Sequence, residues 1–321
     1  MTALITGITG QDGGFLAEKL LAAGVEVHGL VHASDPGATE FLLRCPAVTL
    51  HDGDLLDEAS LARVVRESDP TEVYNLAGVS SVAMSWQIPV LTADVTALGT
   101  ARLLEQTWQL QERRGEPVTF VQASSAEIFG DAGTAPQNET TPISPLNPYG
   151  AAKAFGHQLV GVYRLRGLHA VSMILYNHES PRRPPSFVSR KITRAAARIS
   201  QGLQSELVLG NLEARRDWGW APDYVEAMIL ATRHEAAQDY VVATGETHSV
   251  WEFVEAAFER AGVSDWRAFV RSDPSLSRPS DAPEQVGDAA RARSELGWCP
   301  TVSFAEVVGR MVDADMPAPA A

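Results

Sequence analysis

Tyr149 and Lys153 stand four residues apart in NPYGAAK, inside a predicted helix over 149–166. That spacing puts both side chains on one helix face, one turn apart. An ammonium beside a phenol favours the phenolate, so the pair suits taking a proton from an alcohol. A chance i,i+4 pair is the plain alternative, and a glycine-rich turn far upstream weighs against it. In VQASSAEIFG, Ser125 and Glu127 follow a predicted strand and so fall at the edge of a sheet. The Ser125 hydroxyl can share a hydrogen bond with the reacting hydroxyl. Burying Glu127 without a task is costly; the other readings are a solvated loop carboxylate or a helix-capping box. As a second proton-transfer group it would act on a different carbon from Tyr149. Oxidation and reduction alone need no such group, whereas elimination of water does.

These side chains need a scaffold, and the start of the chain supplies its signature. TGITGQDGG, residues 6–14, places Gly7, Gly10 and Gly13 around Gln11 and Asp12, after the apolar ALI and before the helical pattern FLAEKLLAAG. Strand, glycine turn and helix expose backbone N–H groups at a helix N-terminus, where a phosphate binds. Within a βαβ unit this predicts a dinucleotide site. Further strands are predicted at 25–32, 48–55, 72–78, 118–125 and 169–176, with helices over 57–68, 93–114 and 149–166 between them. The alternation implies an α/β fold: a Rossmann-type doubly wound parallel sheet with right-handed crossovers.

After residue 177 the pattern becomes irregular. NHESPRRPPSF is proline-rich and basic, RKITRAAARISQG is a cationic helix, and WEFVEAAFERAG and a last helix near 303–314 follow. The predicted organisation is an NAD(P)-binding Rossmann domain over 1–177 with a returning segment near 212–243. A smaller mixed α/β C-terminal substrate lobe covers 178–211 and 244–315, and a frayed tail covers 316–321.

Composition narrows the partners. The net charge of −14 over 321 residues argues against nucleic acid and against an anionic membrane surface. A phosphate-bearing ligand must then be met by local cations, for which arginine offers forked donors. Lys191, Arg216 and Arg278, with Asn177, lie in the segments expected to close over a substrate, while Arg182, Arg183, Arg190 and Arg194 read as surface charges. Two cysteines, Cys45 and Cys299, suit a reduced cytoplasmic protein and provide no metal cluster. Met1 runs straight into the first strand, so no signal peptide is expected, and no apolar stretch is long enough to span a membrane. His178 in NHES is expected to make a structural hydrogen bond, since Tyr149 fills the base role. The HExxQ run at His234 lacks the second histidine of a zinc protease.

The GxxGxxG spacing with Tyr-x-x-x-Lys resembles the extended branch of the short-chain dehydrogenase/reductase superfamily. That likeness implies that Asp54 and Leu55 meet the adenine, Leu76 and Ala77 line the ribose and nicotinamide path, and Lys153 also holds the nicotinamide ribose. ALITGITGQDG, DGDLLD, YNLAG, NPYGAAK, NHESPRR, FVSRKITRAAARI, GNLEARRDWGWAPDYVEAM and ELGWCP together resemble the GDP-mannose 4,6-dehydratase family over nearly the full length. The resemblance implies conversion of GDP-mannose to GDP-4-keto-6-deoxymannose: C4 oxidation through Tyr149, elimination of water across C5 and C6 through Glu127, and hydride return to C6. It also implies a recycled NADP, a cofactor site of Gly7, Gly10, Gln11, Asp12, Gly13, His32, Asp54, Leu55, Leu76, Ala77, Tyr149 and Lys153, and a substrate site of Ser85, Asn177, Val188, Lys191, Gly210, Arg216 and Arg278. The family carries an arginine pair after the second strand that grips the 2′-phosphate; here His32 and Ala33 stand there, so NAD stays open. The same substitution makes a homodimer the expectation, with a tetramer the alternative. The rival functions are a 4-keto reductase or epimerase on a related nucleotide sugar, and a non-catalytic nucleotide-sugar sensor.

Overall fold

The computed structural model describes residues 1–276 and 278–317; residues 318–321 of the expected frayed tail lie outside the described residues. The first half runs β1 (Thr2–Thr6), α1 (Gln11–Ala22), β2 (Glu26–Val31), α2 (Ala38–Arg44), β3 (Thr49–Asp52), α3 (Glu58–Ser68), β4 (Glu72–Asn75), α4 (Val82–Gln87) and α5 (Pro89–Thr92). A π-helical turn (Ala93–Leu98) leads into α6 (Gly99–Arg114), then β5 (Thr119–Ser125), a 3-10 turn (Ala126–Ile128), α7 (Pro148–Leu165) and β6 (His169–Leu175). The second half continues with β7 (Asn177–Glu179), α8 (Val188–Ser200), β8 (Leu207–Leu209), β9 (Arg215–Arg216), β10 (Trp218–Trp220), α9 (Ala221–Arg233) and β11 (Asp239–Val242). It ends with β12 (His248–Ser249), α10 (Val250–Arg260), β13 (Val270–Ser272), β14 (Glu284–Gln285), α11 (Ala290–Leu296) and α12 (Phe304–Asp313).

The main sheet has the order β3-β2-β1-β4-β5-β6-β11, and every pairing in it is parallel. Strands such as TALIT and HAVSMIL are buried at nearly every position because both faces are covered. Ala3 and Ile5 point into a core shared with Leu16 of α1 and Met228 of α9. Leu4 between them points the opposite way, toward Leu61, Leu103 and Val160 of α3, α6 and α7. The strand order reverses between β1 and β4, which opens a crevice at the carboxyl ends of those strands, where doubly wound folds bind ligands.

Among the predicted boundaries that shift, three do so with a visible local change. The strand expected over 72–78 ends at Asn75, because the amides of Leu76 and Ala77 both turn to the Thr6 hydroxyl, at 3.1 Å each. The strand expected over 169–176 ends at Leu175, and the chain then steps sideways so that β7 pairs with β10 instead. The helix expected over 93–114 begins at Pro89 and carries the π turn. A second apolar core gathers Ile192, Trp218, Phe253, Phe258, Val307 and Met311, packing α8, α10 and α12 into a body beside the sheet.

Candidate active site

The glycine turn is built for close approach. Gly7 has φ +67°, and a Cβ there would lie 2.9 Å from the Ala77 nitrogen; a Cβ on Gly13 would lie 2.3 Å from the Gly7 carbonyl oxygen. Both positions exclude any other residue, and together they bring the start of α1 down onto the ends of β1 and β4. Gly10 caps α1 without a side-chain acceptor, so the first-turn N–H groups are free to bind an anion. A cradle that a single Cβ would fill, at the N-terminus of a 12-residue helix, fits a dinucleotide pyrophosphate.

Gln11 and Asp12 do more than follow the glycines. The Gln11 amide donates to the His178 carbonyl at 3.0 Å and accepts from the Ser180 hydroxyl at 2.7 Å, while Asp12 meets His178 Nε2 at 2.8 Å. The glycine turn is thereby tied to β7. Burial alone would raise the Asp12 carboxyl, but His178 outweighs it and holds the pKa below its ordinary value. For His178 burial works downward, and the Asp12 carboxylate outweighs it and holds the imidazole above its ordinary value. The pair therefore sits as an ion pair. Farther along the sheet edge, His32 faces Asp54 at 3.7 Å, Leu55 is buried, and Leu76 lines the crevice.

Tyr149 and Lys153 lie on the first turns of α7. Asn147 caps that helix by accepting from the Gly150 amide at 2.8 Å, and Pro148 sits at its first position. The other end of the same Asn147 amide donates to Glu127 Oε2 at 2.7 Å, so one residue positions both proton-transfer groups. Lys153 donates to the Ala123 carbonyl at 2.7 Å, with its Nζ 5.8 Å from the Tyr149 ring centre. The expectation of a lowered Tyr149 pKa is corrected here. Burial dominates, pushing Tyr149 up to about 12, with the Ser125 hydroxyl only partly offsetting it. Burial likewise pushes Lys153 down to about 8. Ser125 and Glu127 line the cavity in front of this pair, and the buried Ser124 hydroxyl beside them has no hydrogen-bond partner among the described residues.

The cavity, about 420 Å³, runs from Asp12 and Leu76 past Tyr149 to the second body, where Asn177, Val188, Lys191, Gly210, Arg216 and Arg278 line it. Arg216 is fixed by the Arg215 and Ala282 carbonyls at 2.8 and 3.0 Å and by Asp281 at 2.7 Å. Asp281 also holds Arg278 at 3.0 Å, and Arg278 lies 3.8 Å from Glu127. Lys191 is anchored on the Val208 carbonyl at 2.6 Å.

The structure departs from the sequence reading at several side chains. Ser85 does not reach the cavity: it is fully buried, donating to the Val82 carbonyl and accepting from the Tyr149 amide at 3.2 Å, so it supports α7 from behind. Arg183 is no surface charge, since it lines the cavity, covers the Phe187 ring and pairs with the buried Glu179 at 3.3 Å. Arg182 stacks on Phe15 and pairs with Glu18, Arg190 pairs with Asp315, and Arg194 is exposed. Sequence reasoning passes over Asn147 and Asp281. An asparagine directly before a proline at a helix start marks the first; the second carries no signal beyond its place in RPSDAPEQ.

A doubly wound sheet with a glycine cradle at its switch point, and a tyrosine–lysine pair facing a second body across a cavity, define a nicotinamide-dependent enzyme of the extended short-chain dehydrogenase/reductase type. The family profile described as GDP-mannose 4,6 dehydratase matches residues 4–311. GDP-mannose 4,6 dehydratase 1 of Arabidopsis thaliana is 47% identical over 98% of this chain and 89% of its own length. Among solved structures, UDP-glucose 4-epimerase of Thermus thermophilus, in complex with NAD, superposes with a TM-score of 0.85 at 32% identity over 98% of both chains. RMD from Pseudomonas aeruginosa, complexed with NADPH, gives a TM-score of 0.79 at 26% identity over 98% of both chains. The chain belongs to the GDP-mannose 4,6-dehydratase family.

Proposed function

We propose that the protein removes water from GDP-mannose to give GDP-4-keto-6-deoxymannose. The observation that carries this reading is Glu127: a carboxylate held by Asn147 in the same cavity as Tyr149 and Ser125, where oxidoreduction alone has no use for it. When bound, the nicotinamide nucleotide supplies reversible two-electron transfer, out of the sugar at C4 and back into it at C6.

The chain's own groups move the protons. Burial makes the Tyr149 phenolate costly, and a charged Lys153 one helix turn away offsets part of that cost when the tyrosine gives up its proton. Tyr149 then takes the O4 proton while Ser125 holds the oxygen. The C4 ketone acidifies the neighbouring C–H, and Glu127 removes the C5 proton. Glu127 passes that proton to the C6 oxygen, the C6–O bond breaks, and water departs as C5=C6 forms. A proton restored at C5 balances the one taken from O4. Arg216, Arg278, Asn177 and Lys191 hold the diphosphate and nucleotide ribose, and Arg183 adds charge at the same wall.

Family membership argues for NADP as the cofactor, while the loop after β2, with His32 and Ala33 in place of an arginine pair, argues otherwise. No described helix is long and apolar enough to cross a membrane. The cytoplasm, where nucleotide sugars and reduced cysteines belong, is the proposed location. A homodimer is supported by apolar side chains left in solvent on the α5 and α7 surfaces: Val90, Phe155, Val162 and Leu165. Sedimentation of the purified protein tests it. The function itself is tested by mass spectrometry of GDP-mannose, UDP-sugar and dTDP-sugar incubations with catalytic nicotinamide nucleotide. A GDP-sugar product lighter by one water, without net reduction of the nucleotide, is expected. Stoichiometric consumption of reduced nucleotide would instead identify a 4-keto reductase.

A further inference from the structure

Building on the reading of the site as a nicotinamide-dependent dehydratase, we propose that Asp35 makes this enzyme select NAD(H) over NADP(H). In doubly wound folds an acidic residue about 20 residues past the glycine turn accepts from the adenosine ribose 2′-hydroxyl, whereas an arginine at that place accommodates a 2′-phosphate. Sequence spacing alone leaves Asp35 out, because it stands four residues beyond the end of β2 rather than at it. The structure brings it back. The Asp35 amide donates to the His32 carbonyl at 2.8 Å, closing a tight turn that folds the loop onto the glycine turn. One carboxylate oxygen of Asp35 then accepts from the Thr9 hydroxyl at 2.7 Å, and the other from the Gly37 amide at 2.8 Å. Thr9 lies between Gly7 and Gly10, so a carboxylate is fixed against the turn that cradles the pyrophosphate.

An ionised carboxylate has about four acceptor positions, and the protein fills two of them, leaving capacity for ribose hydroxyls. A 2′-phosphate at the same place would set close to two negative charges against Asp35. The stretch HASDPG that forms this loop contains no lysine or arginine, and its one basic side chain, His32, faces Asp54. The two arginines beside Gly14 both lean toward carboxylates. Arg182 is held by Glu18 at 2.8 Å, and Arg44 leans toward Glu18 and Glu40 at 3.6 and 3.8 Å. Charge and hydrogen-bonding capacity therefore both favour the unphosphorylated ribose.

The test reads binding directly. The nucleotide that co-purifies with the full chain is released in acid and identified by mass, and NADH and NADPH are titrated by their fluorescence into nucleotide-depleted enzyme. The expected result is NAD as the released species and NADH bound at least about tenfold more tightly than NADPH. Asp35→Asn keeps an acceptor and the loop's shape but removes the charge, and it should narrow that ratio. NADP as the released species, equal or tighter NADPH binding by the wild type, or an unchanged ratio in Asp35→Asn would each overturn the assignment. Water loss from GDP-mannose is followed in the same samples. Dehydration by an NADPH-preferring protein refutes Asp35 and leaves the dehydratase reading standing; NADH preference without dehydration does the reverse.

Discussion

Replacing Glu127 by glutamine separates the two proton-transfer steps, and the structure sets how large the effect should be. Asn147 donates to Glu127 Oε2 at 2.7 Å, and a glutamine carbonyl can accept the same bond. The ion-pair partner lost is Arg278, at 3.8 Å, and Arg278 keeps Asp281 at 3.0 Å. An ion pair this long and partly solvated is worth less than about 1 kcal/mol, so the variant should fold with a nearly unchanged melting temperature. Its chemistry should suffer far more. A positioned general base contributes a factor of about 10²–10⁴, which corresponds to roughly 3–5.5 kcal/mol of barrier. Water loss from GDP-mannose, followed by product mass, should fall by that factor. Oxidation at C4 does not pass through Glu127, so the absorbance of reduced nicotinamide should rise within a single turnover and persist. A folded Glu127→Gln protein that dehydrates within threefold or so of the wild-type rate would refute the assignment of Glu127 as the C5 base.

Three further outcomes follow from the geometry. Gly13→Ala must push a methyl group to within 2.3 Å of the Gly7 carbonyl, so it should cost about 1–3 kcal/mol in urea denaturation and weaken nucleotide binding. Arg216→Lys exchanges a fork fixed at three points for a single ammonium, and should raise KM for the nucleotide sugar about tenfold or more while kcat changes little. Lys153 has its folded pKa lowered to about 8 from 10.5, so the unfolded chain binds the extra proton between those values and stability should rise with pH there. The cost of the buried ammonium is full below about 8, and its relief contributes up to about 1.4 kcal/mol per pH unit across that window. Denaturation midpoints at either end, compared with Lys153→Met, should show the contribution vanish in the variant.

What could be read in advance was whatever depends on local pattern. Gly7, Gly10 and Gly13 between an apolar run and an amphipathic run specify strand, turn and helix by themselves, and the i,i+4 spacing of Tyr149 and Lys153 survives any detail of packing. Glu127 was legible because a carboxylate beside a strand end is chemically conspicuous. What stayed hidden depends on contacts between distant segments. Asp281 fixes two arginines only because the segment after β13 folds back along β9. Ser85 carries a hydroxyl that looks like a ligand contact, yet packing turns it inward against α7. Burial dominates the Tyr149 pKa, with the Ser125 hydroxyl only partly offsetting it, and sequence shows the neighbouring Lys153 but not the desolvation. Two-residue strands such as β9, β12 and β14 have no periodicity to detect.

The last strand of the main sheet comes from the second half of the chain: β11 pairs with β6, and α9 just before it covers α1. The nucleotide-binding half therefore does not close on itself. While the polypeptide emerges from the ribosome, β6 has an open edge and α1 a bare apolar face until residue 242 has been added. Unpaired edges and uncovered apolar faces of that kind recruit other chains. A gene fragment ending near residue 177 would leave both unsatisfied for good. Expression of that fragment alone should give aggregates, and the smaller body is as much a folding partner of the sheet as the wall of its cavity.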